Sequence, residues 1–124
     1  MALTTWLIDK SAYARLAVSP DRELWMERVS RGLVRISSVT MLELVYSFRD
    51  SRQAHQELTE PPLASMPLEY LGPCAEQRAL ELQRSLLEAS EHRGVNLPDL
   101  LIAASAEVSG HTVLHIDHDF ELIA

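Results

Sequence analysis

The sequence contains five acidic side chains that could bind a divalent cation together. They are Asp9, Glu43, Asp99, Asp117 and Asp119, and they come from four separated segments. Carboxylates about 4 Å apart repel by roughly 4 kcal/mol per pair at an effective dielectric of about 20, so such a cluster requires bound cations or partial protonation. Oxygen ligands favour Mg²⁺ or Mn²⁺, and sites of this kind usually catalyse phosphate chemistry.

Two predicted strands end in these acids. The β-prone segment Thr4–Ile8 stops at Asp9, and the strand predicted over Thr112–Ile116 leads into Asp117, with Asp119 two residues beyond. In an open parallel α/β sheet, binding sites form at the carboxyl ends of the strands. These three carboxylates are therefore expected at one edge of the sheet.

The other two acids lie early in predicted helices. Glu43 belongs to a helix predicted from Val39 to about Gln53, after the strand Leu33–Ile36, and Asp99 stands in the first turn of an almost wholly apolar helix ending at Ser109. Each acid also has a simpler interpretation, such as a helix cap, a favourable charge near a helix N-terminus or a turn residue. Their joint placement favours a shared site.

The remaining pattern predicts a single α/β domain over residues 1–124. Short strands alternate with helices, the longest of which is predicted from Pro73 to Arg93, after a loop over Leu58–Pro67. This alternation is typical of right-handed crossovers. We expect a short, mostly parallel sheet of about four to five strands, with helices on both faces.

Composition limits the class of protein. The chain has 124 residues and a net charge of −7, but if five of its 18 acids occupy one site, 13 remain against 11 basic residues. The charge therefore does not rule out a nucleic-acid substrate. The single cysteine, Cys74, excludes an internal disulfide and a four-cysteine zinc site. With neither a membrane span nor a signal peptide predicted, a cytoplasmic location is expected.

The order of the acids resembles that of a known family. Asp9, Glu43, Asp99 and Asp117 are similar to the acidic quartet of PIN-domain nucleases, specifically the VapC toxins of bacterial toxin–antitoxin pairs. The segments LIDKSA, SSVTMLEL, NLPDLLIAASA and LHIDHDF carry the resemblance, which covers nearly the whole chain. The third segment is the most specific. His115 departs from the pattern, because the family often has Ser or Thr there.

The resemblance implies a PIN-like fold and a Mg²⁺- or Mn²⁺-dependent endoribonuclease with one or two ions per site. Asp9, Glu43, Asp99 and Asp117 would be catalytic and metal-binding, with Asp119 as a possible fifth ligand. Ser11 would be a supporting hydroxyl. The family resemblance also implies an RNA substrate, a homodimer and higher toxin–antitoxin complexes. The cognate VapB-like antitoxin would place its C-terminal tail in the active-site groove.

Two other functions remain open on the sequence alone. A catalytically silent PIN-like binding module would act through its partner. A Mg²⁺-dependent phosphatase or phospho-acceptor domain would also carry acids at strand ends, but the chain has no lysine beyond Lys10 and only five residues after Asp119. Metal-dependent RNA cleavage would distinguish the nuclease from both.

Overall fold

The computed structural model describes residues 3–115, which form alternating strands and helices. The strands are β1 (Trp6–Ile8), β2 (Val34–Ser37), β3 (Leu68–Glu69) and β4 (Thr112–Leu114). The α-helices are α1 (Lys10–Arg15), α2 (Arg22–Ser30), α3 (Ser38–Ser47), α4 (Ser51–Thr59), α5 (Pro73–Glu88) and α6 (Leu97–Ser109). Short 3₁₀ helices cover Leu16–Val18, Leu63–Ser65 and His92–Gly94.

The described strands form one parallel sheet in the order β3-β2-β1-β4. Ile8 at the end of β1 is level with Ile36 on β2 and with Leu114 on β4. The carboxyl ends of these three strands therefore meet at the same edge. This arrangement confirms the predicted α/β class and parallel sheet.

Both faces of the sheet are covered by helices, as predicted. On one face, Ile8, Val34 and Ile36 are fully buried in a cluster that includes residues of α1, α2 and α3. On the other face, Leu7 packs against Ile102 and Ala106 of α6. Alternation along β1 sends neighbouring residues to opposite faces, so this inner strand is buried on both sides. Within residues 3–115, no helix is long and apolar enough to cross a membrane.

The prediction of a single helix from Val39 to Gln53 is wrong, because the segment forms the two helices α3 and α4. The backbone turns extended at Phe48 and again at Asp50, and the Asp50 side chain accepts the backbone N–H of Gln53 at 2.9 Å to begin α4. The Gln53 side chain in turn accepts the N–H of Arg49 at 2.8 Å. This exchange resembles a capping box, whose acid-x-x-Gln spacing is visible in the sequence.

The predicted end of the long helix at Arg93 is also wrong, since α5 ends at Glu88. Ser90 has a φ of 59°, and the N–H groups of Ser90 and Glu91 donate to the carbonyls of Leu87 and Leu86. This is the Schellman pattern, which usually has glycine in the left-handed position. The sequence predicted the helix end near Gly94, because glycine is the usual residue in the left-handed conformation. A serine at that position does not signal a helix end.

The last helix agrees closely with its prediction. Asn96 caps α6 by accepting the N–H of Asp99 at 2.8 Å, and Gly110 ends it with a φ of 76°. The glycine is required there because side chains rarely adopt this left-handed backbone.

A chain of polar contacts crosses the sheet and ties its outer strands together. The Nε2 of His111 lies 2.6 Å from Glu69, and its Nδ1 lies 2.6 Å from the hydroxyl of Thr5. Glu69 also accepts a hydrogen bond from Arg35 at 3.3 Å. These residues connect β3, β2 and the segments that lead into β1 and β4.

An arginine stacked against two tryptophans fastens α2 to β1. The guanidinium carbon of Arg28 lies 4.7 Å from the ring centre of Trp6 and 4.5 Å from that of Trp25. The two rings meet edge to face at 5.1 Å. The cation therefore rests on a rigid aromatic pair.

We expect Arg28→Ala to lower the free energy of unfolding by about 1–2 kcal/mol, because a partly desolvated cation–π contact has about that strength. Urea denaturation would measure this loss. The control is Arg31→Ala at the C-cap of the same helix, where an exposed ion pair with Glu27 spans 4.0 Å and should contribute less than about 0.5 kcal/mol. Equal losses in the two variants would contradict the assignment.

Candidate functional site

The candidate site lies at the carboxyl edge of the sheet, where Asp9 connects β1 to α1. The backbone N–H of Asp9 donates to the carbonyl of Leu114 at 3.0 Å, which fixes the residue against the end of β4. Its carboxylate caps α1 by accepting the N–H of Ala12 at 2.8 Å. Asp9 is thus held on both its backbone and its side chain.

Ser11 supports the same carboxylate. Its hydroxyl lies 2.8 Å from one oxygen of Asp9 and 3.0 Å from the other. The carboxylate is only 3% exposed, so these donors replace much of the water that it would otherwise bind. The structure therefore places Ser11 beside Asp9, where the sequence resemblance assigned it a supporting role.

Glu43 reaches this edge from the second turn of α3. Partial burial raises the pKa of Glu43 above its ordinary value, the nearby charge of Lys10 lowers it, and that of Asp9 raises it. These influences show that α3 brings Glu43 into the electrostatic field of Asp9. Since α1 and α3 are in contact, the two acids share one region of the molecule.

Lys10 is a cation of this region, and the sequence alone gave it no role in the site. It begins α1 directly after Asp9, is exposed, and opposes the effect of Asp9 on Glu43. The signal available in the sequence was its position beside a predicted ligand, as the only lysine of the chain. Lys10 compensates part of the negative charge at the edge.

Asp99 enters from the opposite face of the sheet. It lies in the first turn of α6, is 8% exposed, and precedes by one turn Ile102, which packs on Leu7 of β1. Because α6 leads into β4, it runs antiparallel to the strands and begins at their carboxyl edge. The fold thus directs Asp99 to the edge that carries Asp9.

These carboxylates have the chemistry expected of ligands for a hard cation. Within residues 3–115, however, no group of three His, Cys, Asp or Glu side chains is arranged to hold a metal ion. Asp117 and Asp119, which the sequence analysis assigned to the same site, lie outside the described residues. The donor types of Asp9, Glu43 and Asp99 fit Mg²⁺ or Mn²⁺, and their role as ligands stays a prediction.

Comparisons with known proteins agree with this arrangement. The sequence matches the family model described as PIN domain over residues 7–124. It is 56% identical over 119 residues to Ribonuclease VapC2 of Mycobacterium tuberculosis, covering 96% of this chain and 84% of that protein. It is 37% identical over 121 residues to Ribonuclease VapC21 of the same organism, covering 98% and 87%.

Solved structures show the same fold. A chain in the crystal structure of VapBC2 from Rickettsia felis, bound to a DNA fragment from their promoter, superposes with a TM-score of 0.80 at 17% identity, covering 96% of this chain and 92% of that one. A chain of DNA-bound VapBC from Salmonella typhimurium gives a TM-score of 0.77 at 19% identity, with the same coverage.

Asp9→Ala and Asp9→Asn should separate the structural role of this residue from its charge. Asp9→Ala removes the helix cap, so we expect it to lower the free energy of unfolding by about 1 kcal/mol, within the roughly 0.5–2 kcal/mol typical of such changes. Asparagine caps a helix about as well as aspartate, so the free energy of unfolding of the Asp9→Asn variant should stay within about 0.5 kcal/mol of the wild-type value. Urea denaturation in EDTA would measure both, and equal losses would contradict the capping role.

Glu43→Gln should stabilise the metal-free protein at neutral pH. Because the pKa of Glu43 is raised in the folded state, ionising it costs stability, and that cost appears as pH rises above the ordinary glutamate range. In EDTA, the variant should melt at a higher temperature than the wild type at pH 7, and the difference should vanish towards pH 4. The exposed Glu91→Gln is the control. If the difference in melting temperature between Glu43→Gln and the wild type grew on acidification, the raised pKa of Glu43 would be contradicted.

Proposed function

Since the chain belongs to the PIN-domain family, and within it to the VapC proteins, we propose that it is a divalent-metal-dependent endoribonuclease toxin. The observation that supports this proposal most directly is that Asp9, Glu43 and Asp99 lie near the starts of three helices that begin at the carboxyl edge of the sheet. The relatives at 56% and 37% identity are both named ribonucleases. Family membership also sets aside the phospho-acceptor alternative.

In the proposed site, Asp9, Glu43 and Asp99 would hold one or two Mg²⁺ or Mn²⁺ ions together with Asp117, and Asp119 is an additional candidate. A bound cation of this kind supplies an activated water and neutralises charge on the phosphodiester oxygens. Ser11 orients the Asp9 carboxylate through its two short contacts. Hydrolysis would leave a 3′-hydroxyl and a 5′-phosphate.

Lys10 has a part in this scheme as well. It lies next to Asp9 on the exposed side of the edge, where a phosphate of the RNA must approach. An ammonium group can contact phosphate as a point charge, and it reduces repulsion between the acidic site and the polyanionic substrate. Lys10 is therefore proposed to favour substrate approach, and we assign it no proton transfer.

We further propose a VapB-like antitoxin as the inhibitory partner, with its C-terminal tail in the active-site groove. The structural neighbours from Rickettsia felis and Salmonella typhimurium are both described as VapBC complexes. A homodimer is proposed too, and it is supported by exposed apolar side chains one turn apart on α3, where Leu42 is 71% and Tyr46 91% exposed. RNA as substrate implies a cytoplasmic site of action.

RNA cleavage should require both the cation and the acids. Purified protein, freed of any antitoxin, is expected to cut RNA in Mg²⁺ or Mn²⁺ and to stop in EDTA. Loss of a group that only orients a metal ligand costs about 10–100-fold, so Asp99→Asn and Glu43→Gln should each reduce cleavage by at least about a hundredfold. Denaturing gels with labelled RNA would measure the rates.

Two controls make this test decisive. Arg84→Ala changes an exposed residue of α5 and should leave the rate unchanged. Calorimetric titration with Mn²⁺ should show weaker binding in Glu43→Gln than in the wild type. Cleavage that survives EDTA and Asp99→Asn would refute the metal mechanism, whereas a folded, antitoxin-free protein that cuts no RNA would favour the silent binding module.

A further inference from the structure

A small pocket opens beside the carboxyl edge of the sheet, between α1, the 3₁₀ turn after it, α2 and the end of β4. Its volume is about 140 Å³. Four of its lining side chains are apolar and three are polar: Ala12, Leu16, Trp25 and Leu114, then Arg15, Ser19 and His115. Neither the sequence analysis nor the proposed metal site gives this pocket a role.

The pocket adjoins the catalytic edge through shared residues. Ala12, which forms part of its wall, donates its backbone N–H to the Asp9 carboxylate at 2.8 Å. Leu114, in the opposite wall, accepts the backbone N–H of Asp9 at 3.0 Å. The pocket therefore lies beside Asp9, close enough to receive part of a nucleotide next to a phosphate bound there.

The size of the pocket restricts its occupant. Cavities that hold drug-sized ligands usually measure about 300–1,000 Å³, so a volume of 140 Å³ suits one small planar group, and the rest of a nucleotide would lie outside the pocket. A single unpaired base is a group of that size. Sequence-specific proteins commonly read RNA through such splayed bases.

The lining has the chemistry that recognises a base. Trp25 lines the pocket with part of an aromatic ring that Trp6 and Arg28 hold in place. Arg28 covers one face of this ring at 4.5 Å, so a base would contact its remaining surface. Arg15 supplies a guanidinium fork at the rim, which can donate to the acceptors of a base edge. Aromatic stacking combined with arginine donors is a recurrent mode of binding single-stranded RNA.

Ser19 adds a hydroxyl whose position is fixed. Its oxygen accepts the N–H of Asp21 at 3.1 Å, which orients it at the turn before α2 and leaves its proton to donate elsewhere. His115 closes the pocket at the end of β4. Ser19 and His115 therefore add polar groups that a base in the pocket could contact.

We propose that this pocket binds one unpaired base of the RNA, adjacent to the phosphodiester that is cut, and so selects the position of cleavage. The inference rests on the proposed ribonuclease function and adds a specificity site to it. Arg15 and Trp25 are its principal residues, with Ser19 and His115 contributing to the choice of base. They select the substrate without touching the reacting phosphate.

The experiment uses the full chain and synthetic RNAs in which one nucleotide at a time lacks its base. Cleavage sites are first mapped on a randomised RNA pool, and kcat/KM is then measured for an abasic series around the preferred site. In the wild type, removing the base at one position should lower kcat/KM by about tenfold or more, in the range expected for a stacked base. Removing the base at the other positions should lower kcat/KM much less.

Variants of the pocket identify the cause of that effect. Arg15→Ala and Trp25→Leu should make kcat/KM insensitive to the base at that position, whereas Trp25→Phe should retain most of the sensitivity because it keeps a stacking surface. Arg84→Ala removes a positive charge from α5 and should leave the abasic profile unchanged. Should Trp25→Leu fail to fold in thermal melts, Arg15→Ala and Ser19→Ala carry the same test.

Three results would overturn the proposal, and they are distinguishable. If Arg15→Ala weakens cleavage of every RNA equally and reduces its salt dependence, Arg15 contacts only the backbone. If the wild type cuts RNA in a metal-dependent way with a flat abasic profile, the pocket binds no base and the ribonuclease function still stands. If no RNA is cut under any metal condition, the proposed function fails and the specificity site fails with it.

Discussion

The structure depends on the way in which Asp9 joins a strand, a helix and a neighbouring strand. Its N–H binds the carbonyl of Leu114, and its carboxylate starts α1 by accepting the N–H of Ala12. A residue used for both purposes must lie at the strand end with little freedom. The carboxylate is therefore positioned before any ligand binds, so little ordering is needed at the moment of binding.

Electrostatics explains why the rest of the edge is arranged as it is. A partly buried glutamate near a second carboxylate is costly to ionise, which is seen in the raised pKa of Glu43. Lys10 offsets part of that cost from the solvent side, and the hydroxyl of Ser11 stabilises Asp9 from within. The edge thus holds two carboxylates together with a hydroxyl donor and a lysine that reduce the cost of their charge.

Much of this fold and part of this site follow from local sequence patterns. Asn96, Pro98 and Gly110 mark α6 with residues whose physical roles are unambiguous, and strand-terminal Asp9 locates the edge. The break at Phe48 was missed because the apolar periodicity of the segment outweighed the cap formed by Asp50 and Gln53, and the left-handed Ser90 was missed because serine carries no signal for that conformation. The pocket beside Trp25 was missed for a different reason: its walls come from segments distant in the chain, which no spacing rule connects.

The shortness of β3 limits how copies of this protein can associate. Among the described strands, β3 forms one margin of the sheet with just two residues, Leu68 and Glu69. So few unpaired backbone groups make a poor template for adding a strand from another molecule. Along that margin, ordered assembly and aggregation through sheet extension are both disfavoured. On that side of the molecule, self-association would instead use side chains presented by the helices, and single substitutions on those helices could control it.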